Sequence, residues 1–329
     1  MNEFGATNQE RAYIPMTFSQ SLDRVWKILR GHYRLFLQLG SVPAAAFFAI
    51  YAIIFGVLFA FGVFPPHGAP DPQRMARVII PTIALTTLPM VIAYAVFEAA
   101  ACSATLAINR GGETSFRVAY GVAWKRLGRI AWLMILRWVC IALPIMAVLG
   151  TWFGAGALAF FTGVGKAHPG MLFVLIPFVV LSYLASIVYA VWMALRLGLA
   201  VPACLAEDTT AMQAVKRSAR LTRGAVGRIF IVMLVVYAIS YAAMFVFEMA
   251  SMAVSLLGTL LGSAMHAHLG QPWVVVGLGL FGLAALVGFL AMMALSWSSY
   301  SIAFTVLYDD QRLRQEGAAR LVVSGGPAA

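Results

Sequence analysis

Charge is the scarcest property of this sequence. Only 11% of its 329 residues are charged, whereas 62% are hydrophobic. A soluble globular domain has about 25% charged and about half apolar residues, so the composition excludes that class. Cysteine is also scarce. Cys102, Cys140 and Cys204 form no CxxC motif and are odd in number, which argues against a disulfide framework and against a zinc ribbon.

Catalytic signatures are missing as well. The sequence contains no GxSxG elbow, no HExxH pair, no Walker A lysine loop and no dinucleotide-binding fingerprint. We therefore predict no catalytic residue and no cofactor. A cleavable signal peptide is not predicted either, because a mixture of acidic and basic residues precedes the first apolar run, where a signal peptide has only a short basic start.

Long apolar runs are what the composition does provide. A helix needs about 20 residues to cross a hydrocarbon layer of roughly 30 Å, and it satisfies every backbone N–H and C=O within the segment. The predicted fold class is therefore an all-α polytopic membrane protein, a single membrane domain over residues 1–329 with a short cytoplasmic tail at 308–329. Six transmembrane helices are predicted, at 36–64, 78–108, 130–162, 171–202, 229–262 and 272–307.

Proline and glycine lie inside several of these runs. Pro89, Pro144 and Pro177 each remove a backbone donor, so they are predicted kink sites. Small residues let membrane helices approach closely. Close packing is therefore predicted at six glycines of the fifth and sixth spans: Gly258, Gly262, Gly277, Gly279, Gly282 and Gly288.

A basic amphipathic segment precedes the first, the third and the fifth predicted span. The first copy begins at 17–20 and the third at 210–213, both reading Thr-x-x-Gln, and each ends at a glycine, Gly31 or Gly224, shortly before an arginine. The middle copy, at 116–128, follows the pattern more loosely. We interpret the copies as three repeats of an amphipathic interfacial helix plus two spans, and the sequence leaves their spatial arrangement open. The repeats cover approximately 15–108, 113–202 and 208–307.

Lysine and arginine are unevenly distributed between the two sides of the predicted spans. Most of the 23 fall before the first span, in the second-to-third and fourth-to-fifth connections, or after the sixth span. The opposite connections contain Arg74, Arg77 and Lys166. Because positive residues collect on the cytoplasmic side of membrane proteins, both termini are predicted to be cytoplasmic, and the predicted location is the bacterial cytoplasmic (inner) membrane.

These basic blocks also explain the net charge of +11. Their cations alternate with apolar residues at helical spacing, which is typical of helices lying on an anionic membrane surface. The predicted partners are membrane lipids with anionic headgroups, or a membrane or cytoplasmic protein, and not nucleic acid, which needs a basic face away from lipid. The alternative is that the blocks are topology signals that only cap the bundle. The predicted headgroup or partner surface consists of Arg24, Lys27, Lys125, Arg126, Arg217, Arg220 and Arg223.

Four charged residues lie in or near the predicted spans: Glu98, Arg137, Arg196 and Glu248. Ionisable residues are costly in lipid and mark functional sites by default. Glu98 and Arg137 lie at similar depth from the cytoplasmic side, which favours a pair on a transport path or a pair that only fixes helix register. Arg137 and Arg196 are also close enough to the interface for their side chains to extend into it.

Four histidines fall on the predicted outer loops: His67, His168, His266 and His268. Brought together, they would suit zinc or copper. Histidines without any ligand role are the alternative, since only His266-Ala-His268 has local ligand spacing.

Two acidic pairs lie at the ends of spans. Glu207-Asp208 directly precedes the third amphipathic segment, and Asp309-Asp310 follows the sixth span. Such pairs suit either a bound cation or helix capping, and capping is favoured because negative charge is stabilised at a helix N-terminus.

The segments around these acidic pairs resemble a known family. PACLAE at 202–207, AVKRSARLTRG at 214–224 and LYDDQRLRQEG at 307–317 are similar to the bacterial glycerophosphoryl diester phosphodiesterase membrane domain family. The resemblance covers most of the chain, least in its middle third. It implies an all-helical membrane domain, fused in some bacteria to a cytoplasmic phosphodiesterase. The His-Arg-Gly of that enzyme is missing here, so the resemblance implies no reaction, substrate or catalytic residue.

Two functions follow from these observations. The first is a non-enzymatic inner-membrane module that organises lipid or a partner through its basic surface. The alternative is a transporter or lipid flippase with a path between the repeats, and an intramembrane enzyme is a third class. A polar-lined cavity of lipid size is expected of the transporter, and a tightly packed bundle is expected of the module.

Overall fold

The computed structural model of this protein is almost entirely helical in its described residues. The structure describes residues 16–62, 72–161, 170–269 and 271–323. Within these ranges there are ten helices and no strand, which confirms the all-α fold class. The helices are α1 Phe18–Gly31, α2 Tyr33–Ala60, α3 Pro72–Asn109, α4 Phe116–Lys125, α5 Leu127–Phe161, α6 Gly170–Leu197, α7 Ala200–Ala206, α8 Ala211–Leu221, α9 Val226–Leu269 and α10 Gln271–Val323.

Six stretches are long and apolar enough to cross a membrane. Five of them lie within α2, α3, α5, α9 and α10, and the fourth in chain order extends across α6 and α7. They match the six predicted spans. The chain is therefore an integral membrane protein. Several helices exceed a single crossing: α9 has 44 residues and α10 has 53, which is roughly 66 and 80 Å at 1.5 Å per residue. The last helix continues beyond the predicted end of its span at residue 307.

The fourth predicted span is interrupted at Gly198. Helix α6 ends at Leu197, and α7 begins at Ala200. A Cβ atom at position 198 would lie 2.2 Å from Cε1 of Phe304 in α10, so only glycine fits where α10 passes. The long apolar run does not reveal this contact, because Phe304 belongs to a distant helix.

The six spanning helices form a closed ring in chain order. Contacts join α2 to α3, α5 to α6 and α9 to α10, which are the two helices of each predicted unit. Contacts between α3 and α5, α6 and α9, and α10 and α2 connect neighbouring units, and α3 also touches α10 across the ring. The arrangement that the sequence left open is therefore a ring, while the equivalence of the three units stays a prediction.

Burial is concentrated at one end of the ring. Buried side chains occupy the C-terminal part of α3, the first turns of α5 and α9, and residues 293–311 of α10. We call this the basic end, because α1, α4 and α8, the helices of the arginine and lysine blocks, pack against it. Toward the opposite end, large apolar side chains such as Leu181 in α6 and Phe245 in α9 are exposed, as contact with lipid requires.

The short helices begin with the caps that their sequences suggest. Thr17 and Gln20 form a capping box at the start of α1, and Thr210 and Gln213 form the same box at the start of α8. Ser115 caps α4 through its hydroxyl alone. Each cap satisfies backbone N–H groups that a helix start leaves unpaired, so each short helix begins at a residue that its local sequence defines.

Close helix packing is found at fewer glycines than predicted. A Cβ atom at Gly288 would lie 2.6 Å from Cζ of Phe247, and one at Gly40 would lie 2.5 Å from the carbonyl oxygen of Ala294. The packing prediction is wrong for three glycines of α10, where an added Cβ has no neighbour within 4 Å because that face is open: Gly277, Gly279 and Gly282. Pro89, Pro144 and Pro177 lie within helices that continue on both sides.

Candidate functional site

Glu98 and Arg137 form an ion pair inside the ring. Nη1 of Arg137, in α5, donates to Oε1 of Glu98, in α3, at 2.9 Å. Glu98 is only 4% exposed, and the guanidinium carbon lies 6.0 Å from the ring centre of Phe304. The structure thus brings together the two residues that the sequence placed at similar depth.

Polar side chains from three helices surround this pair. The charges of Glu98 and Arg137 act on the phenols of Tyr94 in α3 and Tyr237 in α9, and the ring of Tyr237 lies 4.1 Å from that of Tyr300. Oε2 of Glu98 has no hydrogen-bond partner among the described residues. Because a buried polar atom without a partner is costly, this oxygen is the candidate acceptor of a hydrogen bond from a ligand.

Two cavities of the described residues do not reach the pair. A groove of about 550 Å³ lies between α1, α9 and α10 and is mainly aliphatic, with Asp23 and three serines in its lining. A recess of about 210 Å³ lies beside Tyr94 and Trp297. Neither Glu98 nor Arg137 lines the groove or the recess.

Asp310 is the centre of the polar contacts at the basic end. It is fully buried, and its Oδ1 accepts the backbone N–H of Met16 at 2.8 Å. Its Oδ2 lies 3.0 Å from Nε of Arg314 and 3.3 Å from Nη2 of Arg228. Both arginines also donate to the carbonyl oxygen of Met16. One carboxylate therefore ties the chain before α1 to α9 and α10.

Glu207 joins two further helices. Its Oε1 accepts from Nε of Arg217 in α8 at 2.9 Å and from the hydroxyl of Tyr308 in α10 at 2.8 Å. Arg217 also donates to Glu316 at 2.8 Å. The capping prediction for the first acidic pair is wrong, since Thr210 supplies the side-chain cap of α8 and the carboxylate of Glu207 is bound by Arg217 and Tyr308 instead.

Asp208 fixes the connection between α7 and α8 to α5. It has a positive φ of 51°, which aspartate tolerates better than most residues. Its Oδ1 lies 2.6 Å from Nη1 of Arg129 and 3.3 Å from Nη2 of Arg126. Hydrogen bonding from Arg129, together with the charges of both arginines, holds the pKa of Asp208 below its usual value.

The second acidic pair does not suit a cation. Asp309 accepts from the side-chain amide of Asn109 at 3.0 Å, and Asp310 is occupied by arginine. Within the described residues, no group of three or more histidine, cysteine, aspartate or glutamate side chains suits a metal ion.

The predicted headgroup surface divides into engaged and free cations. Arg24 donates to Asn109 at 3.3 Å, Arg126 binds Asp208 and the carbonyl oxygen of Leu205, and Arg217 binds two glutamates. Four others are exposed and make no ion pair or side-chain hydrogen bond within the part of the chain that the structure describes: Lys27, Lys125, Arg220 and Arg223. A lipid-facing role for the whole set stays a prediction.

Arg196 is half-buried but also makes no ion pair or side-chain hydrogen bond within the described residues. Its guanidinium carbon lies 5.0 Å from the ring centre of Trp192, in the same helix. Together with Lys216, Arg220 and Arg223 it lines a recess where α6 meets α8. The sequence-based surface missed Lys216, although its spacing to Arg220 and Arg223, four and seven residues, already placed it on their face of the helix.

The remaining predicted site residues do not join these clusters. Glu248 is exposed on α9. His67 and His168 lie outside the described residues, and His266 and His268 lie in a stretch of α9 whose side chains are not described. The histidine metal site therefore stays a prediction.

Comparison with known proteins gives no name for this geometry. No protein-family model, curated protein or solved structure matches the chain. The functional argument rests instead on two features of the described residues: the buried Glu98–Arg137 pair and the unpaired cations of the basic end.

Proposed function

We propose that this protein is a non-enzymatic bacterial inner-membrane protein that organises anionic lipid, with its basic end and both termini on the cytoplasmic side. One observation supports the proposal above others: the cations of the basic end divide into a group that holds the bundle together and a group that has no protein partner. The first group is accounted for by folding. The second needs another explanation.

The unpaired group creates a surplus of positive charge at the membrane surface. It includes Lys27 and Arg30 of α1, Lys125 of α4, and the Lys216 and Arg220 side chains of α8, all exposed. Among the described carboxylates of this end, only Asp23 and Glu113 make neither an ion pair nor a hydrogen bond, and they are too few to balance these cations. Each cation near an anionic leaflet contributes about 1 kcal/mol of attraction, so the surplus favours contact with acidic lipid.

We also propose that the chain belongs to the glycerophosphoryl diester phosphodiesterase membrane domain family. The segments that carry the resemblance supply Glu207, Arg217, Tyr308, Asp310 and Glu316, and these residues contact one another or the neighbouring helices. The residues that make the family recognisable therefore hold the basic end together. This role fits a membrane module without a reaction of its own.

Lipid-dependent stability tests the proposed function. The purified protein is unfolded by heat in mixed micelles with either phosphatidylglycerol or phosphatidylcholine of matched acyl chains. Phosphatidylglycerol is expected to raise the unfolding temperature more, because binding to the native state stabilises it. The difference is expected to shrink in about 1 M salt, where the Debye length falls to roughly 3 Å. Equal stabilisation by both lipids at low salt contradicts the proposal.

The alternative function, a lipid flippase with a path past Glu98 and Arg137, is favoured by one observation. Oε2 of Glu98 is buried without a partner, as expected of an oxygen that awaits a ligand. Vesicles that contain the protein and a fluorescent phospholipid measure lipid exchange between leaflets. The flippase requires exchange that Glu98→Gln abolishes, whereas the module requires no exchange by the wild-type protein.

A further inference from the structure

The unpaired cations are not spread evenly over the basic end. Four of them converge on one recess, lined by Arg196 at the end of α6 and by Lys216, Arg220 and Arg223 in and just after α8. We call this the cation recess. We propose that it binds the phosphate of an anionic phospholipid, with an acyl chain lying along α6. This inference rests on the proposed function and gives it a location.

The fold holds the cations of the recess together. Ser218 is fully buried, and its hydroxyl donates to the carbonyl oxygen of Arg196 at 2.7 Å, which fixes α8 against the end of α6. Gln315 of α10 donates to the carbonyl oxygens of Arg220 and Leu221 at 3.2 and 3.3 Å. The backbone that presents these like charges is therefore anchored from two sides.

No described carboxylate offsets these charges. None of the four cations makes an ion pair with a described residue, whereas Arg217, which follows Lys216 in α8, binds both Glu207 and Glu316. Cations are favoured near a helix C-terminus, which accounts for Arg196 and Arg220 in the last turns of α6 and α8 but not for Lys216 or for the convergence of the four. Like charges gathered without a counter-charge repel one another, and a phosphate between them removes that cost.

A membrane lipid fits this position better than a soluble phosphate. An exposed face of α6 leads away from Arg196 through Trp192, Val188, Leu184 and Leu181, each exposed and spaced three or four residues apart. From residue 181 to residue 196 this face extends roughly 22 Å at 1.5 Å per residue, which exceeds half of a hydrocarbon core of about 30 Å. Trp192 lies where tryptophan concentrates, at the boundary of lipid and water. The cations that would bind the phosphate and the apolar face that would contact the acyl chain are therefore adjacent along α6.

Two variants with equal charge loss test the proposal. The recess variant replaces Lys216, Arg220 and Arg223 with glutamine, and the control variant replaces Lys27, Arg30 and Lys125, which are equally unpaired but lie on α1 and α4. Native mass spectrometry of each protein titrated with phosphatidylglycerol measures lipid affinity. The recess variant is expected to bind about a hundredfold more weakly, which corresponds to about 2.8 kcal/mol at 1.4 kcal/mol per tenfold. The control variant is expected to keep the affinity within about threefold of wild type.

Further measurements distinguish a failure of the cation recess from a failure of the proposed function. An equal loss in both variants refutes the cation recess but leaves the proposed function standing, whereas no preference of the wild type for phosphatidylglycerol over phosphatidylcholine refutes both. Glycerol phosphate without acyl chains is expected not to bind at millimolar concentration, and binding as tight as that of the lipid refutes the lipid as occupant. If the recess variant does not fold, two milder variants replace it: Lys216→Gln, and the double variant Arg220→Lys with Arg223→Lys, which keeps both charges. Lys216→Gln is expected to bind phosphatidylglycerol about tenfold more weakly, and the double variant is expected to bind it as the wild type does. A weaker affinity of the double variant than of Lys216→Gln refutes the site.

Discussion

At the scale of single residues, the same side-chain type serves opposite purposes at the basic end. Arg217 bridges two glutamates and Arg228 binds Asp310, whereas Arg220 and Arg223 have no acidic partner among the described residues. Their sequence neighbourhoods are alike, since all belong to one basic segment. What separates them is the direction in which the helix, or the connection after it, presents each side chain, and only those directed at the bundle meet a carboxylate.

Asp310→Asn is expected to destabilise the protein by about 3 kcal/mol, because it removes the buried carboxylate that is the shared counter-charge of the partly exposed Arg228 and Arg314. Thermal unfolding in detergent measures the effect. Asp208→Asn is the matched control, because that carboxylate also binds two arginines but is 65% exposed in its side chain, so water replaces it and little change is expected. Similar unfolding temperatures for the two variants would contradict the central role assigned to Asp310.

The Glu98–Arg137 pair predicts strong coupling between two substitutions. Glu98→Gln and Arg137→Met are each expected to destabilise by about 3 kcal/mol, since each leaves the partner buried and unpaired. The double variant is expected to lose clearly less than the sum of the two. Unfolding measurements on all four proteins give the coupling energy, and simple additivity would show that the pair makes no contribution as a pair.

At the scale of elements, a small residue allows close helix packing only where another helix lies beside it. Gly40 lets α2 approach the backbone of α10 at Ala294, and the hydroxyl of Ser298 in α10 donates to the carbonyl oxygen of Phe36 in α2 at 3.0 Å. Gly277, Gly279 and Gly282 of α10 have no such neighbour. A GxxxG spacing or a run of glycines thus predicts the capacity for close packing, while the path of the partner helix decides its use.

Gly40→Ala is expected to destabilise by about 2 kcal/mol, because its new methyl group would meet backbone atoms that cannot move aside. Gly282→Ala adds the same group where nothing lies within 4 Å. It is expected to be neutral or stabilising by up to about 1 kcal/mol through helix propensity. Thermal unfolding of both variants decides the matter, and a larger loss for Gly282→Ala would contradict the described contact of α2 with α10.

At the scale of the whole molecule, packing and charge are concentrated at the same end. Buried contacts, capped short helices and ion pairs all lie at the basic end, whereas the opposite ends of the spans expose apolar side chains. The proposed orientation places this packed end in the cytoplasm, where the positive-inside rule puts its cations. The lipid-exposed ends then require no protein partner, since lipid is their solvent.

Cysteine labelling tests this orientation. Lys27→Cys and Lys125→Cys are expected to react with a membrane-impermeant maleimide only after spheroplasts are permeabilised, whereas His67→Cys is expected to react in intact spheroplasts. The wild-type protein is the background control, because Cys102 and Cys204 are buried. Labelling of Lys27→Cys in intact spheroplasts would reverse the assignment.

The sequence predicted many of the residues of the candidate site but few of the contacts between them. Similar depth predicted the Glu98–Arg137 pair, because helix rise converts sequence distance into depth. The cation recess was only half predicted: Arg220 and Arg223 were on the predicted surface, Lys216 was missed, and Arg196 was assigned to the spans. Their meeting depends on the packing of α8 against α6, which involves residues about 20 positions apart on separate elements.

The sequence alone determined the class of the protein, its six spans and the starts of α1 and α8. These depend on apolar length and on local capping, which act within one segment. Only the tertiary structure decided the ring, the close approach of Phe304 to Gly198 and which cations have partners. Asp310 and Met16 are 294 residues apart in sequence yet 2.8 Å apart in space, and such contacts arise from the packing of whole helices, which no local pattern contains.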